Sequence, residues 1–296
     1  MRTLHRLAIA FIIAAPLPLI QGCRFTTRKL PVPIAPVLTQ TVPPEELVKR
    51  LNDRCNAIET LRANVELQLS KMNTEKGVAT DYTTVPGIIL MRKPEHLRVV
   101  GFVPVLHTRM FDMITDGKDF TLYVPSRDLA YEGPNTLTHK STNTVENMRP
   151  GFFMDSLIVR CMSEQDEYMV TADTYTIEDS TKKHLLVIPE YILSVMRRKS
   201  GSQELRPIRV IHFHREDLLP YQQDLYDDQG NLETQVSYGR YIEFGTNKFP
   251  SSVTIKRPLE DFQIVMTVQK VTENSELPDD QFQIQLPSET KVQKLQ

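Results

Sequence analysis

The sequence predicts a mainly β, α+β fold: a single strongly curved antiparallel sheet, a half-barrel, with helices packed against its concave face. Three observations carry that prediction. Apolar and polar residues alternate with a period of two through about ten separate stretches, the pattern of half-buried strands. Only two stretches show the three-and-four spacing of an amphipathic helix. No alternation of strand, helix and strand is present, which argues against a parallel α/β sheet.

The chain opens with a segment that does not belong to the fold. Arg2 and Arg6 precede an apolar run from Leu7 to Ile20, which leads through Gln21-Gly22 into Cys23. That order is a secretory signal, and Ile20-Gln21-Gly22-Cys23 resembles the cleavage motif of bacterial lipoproteins. The run is broken by Pro16 and Pro18 and is shorter than the roughly twenty residues of a spanning helix. Residues 1–22 are therefore read as a signal peptide. Cys23 is read as the site of a covalent diacylglycerol and an N-acyl chain, and no other cofactor is expected. Ordinary secretion with a chance cysteine is the alternative. Arg24 after the cysteine, in place of Asp, points to the periplasmic face of an outer membrane.

Cleavage removes Arg2 and Arg6 from a chain with 35 basic and 37 acidic residues, so the mature protein is mildly acidic. That excludes a nucleic-acid binder. Residues 23–44 carry Pro31, Pro33, Pro36, Pro43 and Pro44 without apolar periodicity and read as an extended tether. Arg24, Arg28 and Lys29 suit anionic headgroups. Residues 45–287 form one domain with no repeat or internal linker, and 288–296 are a C-terminal tail.

The elements of that domain follow in order. Leu47, Leu51, Cys55, Ile58 and Leu61 lie on one helical face that starts at Pro43-Pro44. The period then switches to two at Ala63, Val65, Leu67 and Leu69. Further strands are expected at Gly87 to Arg92, His96 to Phe102, Thr108 to Thr115 and Asp119 to Val124, with Asp116-Gly117 as the turn between the last pair. A second helix follows Pro150-Gly151 and puts Phe153, Met154, Leu157, Ile158 and Cys161 on one face. Strands resume at Glu167 to Ile177, Lys183 to Ile192, Leu205 to His214, Tyr221 to Tyr226 and Leu232 to Phe244. Phe262 to Val271 and Gln281 to Leu286 close the domain.

Three stretches are similar to one known family. Thr60-Leu61-Arg62-Ala63-Asn64-Val65 joins the first helix to the first strand. His96 to Phe102 continues through Val103-Pro104-Val105-Leu106-His107. Lys248-Phe249-Pro250, Val253-Thr254-Ile255, Ile264 to Val271 and Asp279-Asp280-Gln281-Phe282 to Pro287 stand where closing strands belong. Together these resemble the LolA/LolB lipoprotein-carrier superfamily across residues 45–287, and the anchoring cysteine selects its membrane-bound LolB branch. The resemblance implies an incomplete barrel that holds acyl chains, with a protruding apolar loop between two strands. This chain departs from the LolB pattern at Val105-Leu106, where LolB has Leu followed by Gly, and its middle section is longer.

Val103, Pro104, Val105 and Leu106 thus stand as a candidate membrane or cargo insertion loop. The competing reading folds Val105 and Leu106 back into the core. Leu51, Ile58, Val65, Leu67, Phe153 and Leu157 are the candidate lining of an acyl cavity, against the reading of a filled core. Cys55 and Cys161 either form a disulfide, which an oxidising compartment permits, or remain two buried thiols. His212 and His214 share a strand face at a ligand-like spacing, but no third ligand is near, so no metal site is expected.

No nucleophile elbow, phosphate loop or cofactor fingerprint occurs, and Ser156 lacks flanking glycines. The chain is expected to be a non-enzymatic monomer. Its expected partners are membrane lipids, acylated lipoproteins or lipids as cargo, and a soluble periplasmic LolA-like carrier. The alternative is an envelope sensor of lipids or lipoproteins, or a structural assembly lipoprotein, without carrier activity.

Overall fold

The computed structural model describes residues 33–34, 39–73, 77–135, 150–178, 180, 184–245 and 247–295. Residues 1–22, Cys23 and most of the residues between Cys23 and Gln40 lie outside the described residues.

Helix α1 (Pro44–Ala57) begins at the first residue that needs no backbone N–H partner. Glu45 and Glu46 in its first turn and Arg54 in its last complement the helix dipole. Its buried face is Leu47, Leu51 and Cys55, as the four-residue spacing predicts. The chain leaves the helix at Ile58 and enters β2 (Thr60–Asn73). There Leu61, Ala63, Val65 and Leu67 are buried while their neighbours are not.

The strands that follow are β3 (Val78–Asp81), β4 (Val85–Arg92), β5 (His96–Phe102), β6 (Arg109–Thr115), β7 (Asp119–Val124) and β8 (Leu129–Pro134). After α2 (Gly151–Leu157) come β9 (Asp166–Glu178), β10 (Leu185–Arg198), β11 (Leu205–His214), β12 (Pro220–Tyr226) and β13 (Leu232–Tyr238). A separate ribbon of β14 (Tyr241–Phe244) and β15 (Asn247–Pro250) leads to β16 (Ser252–Arg257) and β17 (Phe262–Glu273). Short β1 (Pro33–Ile34) and β18 (Lys291–Lys294) lie at opposite ends of the chain.

All but the ribbon join one large open sheet of 16 strands in the order β1-β10-β11-β12-β13-β16-β17-β2-β4-β5-β6-β7-β8-β18, with β3 on β2 and β9 on β10. One hydrophobic core unites its inner face with both helices: Leu47 and Leu51 of α1 and Phe152 and Phe153 of α2 share a cluster with Val65, Met113, Leu193, Phe213 and Ile255. Among the described residues no helix is long and apolar enough to cross a membrane.

The sheet is larger than the sequence predicts, and it is mixed. From β9 through β8 every pairing is antiparallel, but β1 joins β10 and β18 joins β8 in parallel. Residues 288–296, read as a tail, thus contain a strand that covers the edge of β8. Part of the tether is docked too. Gln40 donates its amide to the Arg215 carbonyl, and Arg215 returns bonds to the Gln40 carbonyl and the Thr41 hydroxyl.

The strand expected at 281–286 is absent. Asp279–Phe282 is a short 3-10 turn instead. Its segment is held by side chains, with Arg92 donating to the Leu277 carbonyl and Arg98 to that of Gln281. Phe282 and Leu277 pack on Leu90, on the sheet face away from the main core.

Helix α2 is one turn shorter than its apolar spacing suggests. Cys161 is not on it: Arg209 takes the carbonyls of Arg160 and Cys161, so the chain is extended there. Cys161 is bonded to Cys55 at the end of α1, with the two Cα atoms 5.4 Å apart. The bridge spans a sequence separation of 106 residues, worth about 5 kcal/mol by chain entropy alone.

Candidate functional site

Two neighbouring features stand out, an apolar cavity in the core and an exposed hairpin tip. The cavity has a volume of about 350 Å³ and is walled by Leu67 and Leu69 of β2, Val85 of β4, Phe111 and Met113 of β6, Leu122 of β7 and Ile264 of β17. Phe153 of α2 closes it from the opposite side. Strand pairing sets its walls side by side, with Leu67 opposite Val85, Leu69 opposite Ile264, and Met113 opposite Leu122. At ~30 Å³ per methylene, about one water molecule's share of liquid volume, the 350 Å³ cavity holds about twelve carbons. Burying them contributes ~0.8 kcal/mol each before ordering costs.

Its mouth is polar. Tyr82 and Thr83, before β4, and Ser126 and Arg127, after β7, are exposed and belong to the same lining. Both segments lie at the end of the sheet where β5 turns into β6, as the pairing of Leu67 with Val85, Gly87 with Gly101 and Asp112 with Tyr123 requires.

That turn is the second feature. Val105 is 89% exposed and Leu106 71%, while Val103 and Pro104 are half-buried. The Leu106 amide donates to the Pro104 carbonyl at 2.8 Å, closing a three-residue turn around Val105 at φ 69°. This is the rarer, strained hand of that turn, and a β-branched residue is poorly suited to it. His107 is also left-handed, at φ 52°. Neither apolar side chain folds back into the core.

The root of the hairpin is rigid. Asp112, fully buried, takes a two-pronged pair from Arg98 at 2.9 and 2.6 Å and a third bond from Arg109 at 3.1 Å. Gly101 lies under the ring of Phe111, its cross-strand partner, and a Cβ there would meet that ring at 2.2 Å. Phe111 therefore reaches from the hairpin to the cavity wall, and Met110 beside it lines the cavity four residues after Leu106.

Of the residues singled out from sequence, Leu67 and Phe153 line the cavity. Leu51, Ile58 and Leu157 surround a different void of about 20 Å³, room for little more than one water, and Val65 is packed in the core. The face of α1 is thus filled where Leu51 and Ile58 meet the sheet, and the apolar cavity lies toward β4 to β7. Cys23 lies outside the described residues. Phe111, Met113, Leu122 and Arg127 are not among the residues singled out from sequence. For the first three the alternation in β6 and β7 is the available signal, which does not distinguish a cavity wall from a filled core, and Arg127, in the turn after β7, carries no such signal.

His212 and His214 are engaged elsewhere. His212 Nδ1 is 2.9 Å from Glu190 Oε2, which also accepts the Tyr221 hydroxyl, and His214 stacks on Tyr221 at 4.2 Å. Burial lowers the His214 pKa and raises that of Tyr221.

A large open sheet packed with its helices around one core is a fold seen in solved structures. A DUF1329 family protein from Desulfovibrio piger superposes with a TM-score of 0.51 at 15% identity, over 80% of this chain and 95% of that one. A LolA superfamily protein from Nitrosomonas europaea gives 0.51 at 13% identity, over 82% and 99%. These likenesses establish a shared fold. No family model matches the sequence, and no curated protein matches it.

Proposed function

We propose that this chain is a membrane-anchored, LolB-like lipoprotein of the outer membrane's periplasmic face, without catalytic activity. In this reading Cys23 carries the lipid, the sheet curves as a half-barrel with its helices on the concave side, and the apolar cavity takes an acyl chain of a lipid or lipoprotein. Cargo arrives from a soluble LolA-like carrier. The Val105-Leu106 tip enters the bilayer and brings the cavity mouth to the lipid surface. Release follows because a bilayer accommodates an acyl chain better than a cavity that holds about twelve of its carbons.

The observation that carries this reading is the pairing of a strained, exposed apolar tip with an apolar cavity four residues away on the same hairpin. The fold shared with a LolA superfamily protein supports it. The test is Leu106→Glu in the lipidated protein, assayed for transfer of an acylated lipoprotein to liposomes. Losing one buried leucine at about 1.5–3 kcal/mol predicts a fall in transfer of roughly ten- to a hundredfold with the melting temperature unchanged. Unchanged transfer would sink the insertion step.

A further inference from the structure

We propose that the cavity is built for a single-chain anionic amphiphile, with Arg127 binding its head. The proposal deepens the acyl-binding reading and rests on it. Size sets the number of chains: room for about twelve methylenes accommodates part of one chain, and the several chains of a triacylated cysteine do not fit together.

Charge sets the head. Arg127 lines the mouth and is exposed, and no carboxylate among the described residues forms an ion pair with it. The neighbouring Asp128 is turned to other work, since its carboxylate accepts the Thr290 hydroxyl at 3.0 Å and its backbone carbonyl accepts the Lys291 amide. The C-terminal segment thereby engages the acid that follows Arg127 in sequence, and the guanidinium stays at the rim. Asp81, next to Tyr82, accepts the Ser70 hydroxyl at 2.6 Å. Ser126 and Thr83 add hydroxyl donors on either side of the opening. A chain end buried among Phe111, Met113 and Phe153 with its head at this rim satisfies both halves of the site. A guanidinium matches a carboxylate or a phosphate by paired N–H donors, so both heads are accommodated.

The experiment is calorimetric titration of the full mature protein with dodecanoate, dodecyl phosphate and dodecanol, repeated on Arg127→Gln and Arg127→Lys. The wild type is expected to bind the anions about two- to fivefold more tightly than the alcohol, the contribution of an ion pair at an exposed rim. Arg127→Gln should erase that gap without changing dodecanol affinity, and Arg127→Lys should keep part of it. Either order between carboxylate and phosphate supports the proposal and tells a fatty acid from a lipid phosphate. Equal binding of acid and alcohol by the wild type overturns it, as does a gap that survives Arg127→Gln. Binding of none of the three ligands would instead overturn the acyl-cavity reading beneath it. A chain-length series separates the size argument: affinity should rise about fourfold per methylene up to about twelve carbons and then level off.

Discussion

Strand β6 begins and ends in tight turns that follow opposite rules. At its far end Asp116-Gly117 closes the hairpin to β7, with Gly117 supplying the positive φ of 96°. The Asp116 carboxylate accepts the amides of Lys118 and Asp119, each at 2.9 Å, and the Thr115 hydroxyl accepts that of Gly117. Every local preference there agrees with the fold. At its near end Val105 takes the positive φ, the side chains face water, and the turn bonds come from the backbone. Strain at one of two turns on the same strand is what the proposed insertion role for Val105 and Leu106 requires.

Three substitutions sharpen that contrast. The largest effect is expected at the well-formed turn: Gly117→Val puts a β-branched side chain on a backbone at φ 96° and crowds the Glu95 side chain, and should cost about 1–3 kcal/mol in denaturant unfolding. Lipid transfer per folded molecule should not change. Val105→Gly goes the other way, with strain relief offset by backbone entropy. Stability should stay level or rise by up to about 1 kcal/mol while liposome transfer falls; a loss of stability would show that Val105 supports the fold.

The smallest effect concerns acid. Backbone N–H bonds, first that of Asp119, hold the Asp116 pKa below its ordinary 3.8. A depressed carboxylate stabilises the fold above its unfolded pKa and ceases to do so as pH falls through its folded one. Melting curves between pH 5 and about pH 2 should therefore show less acid loss in Asp116→Asn than in the wild type. Equal losses would mean the turn's bonds are not the source.

The same contrast explains what was legible. Asp116-Gly117 could be read because its turn chemistry is local, as could the alternation from Ala63 to Leu69 and the face of α1. Val105 could not be assigned, because nothing in Pro104-Val105-Leu106 signals a left-handed backbone, and inward and outward readings fit equally. Val65 and Leu67 show the limit within one strand. They share a face two residues apart, yet Val65 is packed in the core and Leu67 walls a cavity. What lies opposite each is a tertiary matter. Lys291–Lys294 carries no alternation, so its strand was invisible, and Phe282 was read as a strand residue because carbonyl capture by Arg92 and Arg98 leaves no periodic trace.

The docking of β1 on β10 fixes the length of a leash. With Pro33 paired to Leu185, ten residue steps separate Cys23 from the folded body, a reach of about 35 Å at full extension. A lipid on Cys23 would then hold the strand at which the leash docks within about 35 Å of the membrane. Under the proposed anchoring, confinement on that scale would raise the local concentration of the folded body at the lipid surface toward the millimolar range. With the anchor proposed at Cys23, a weak, readily reversed insertion of two side chains would suffice, and the protein would dip into the membrane and withdraw without leaving it.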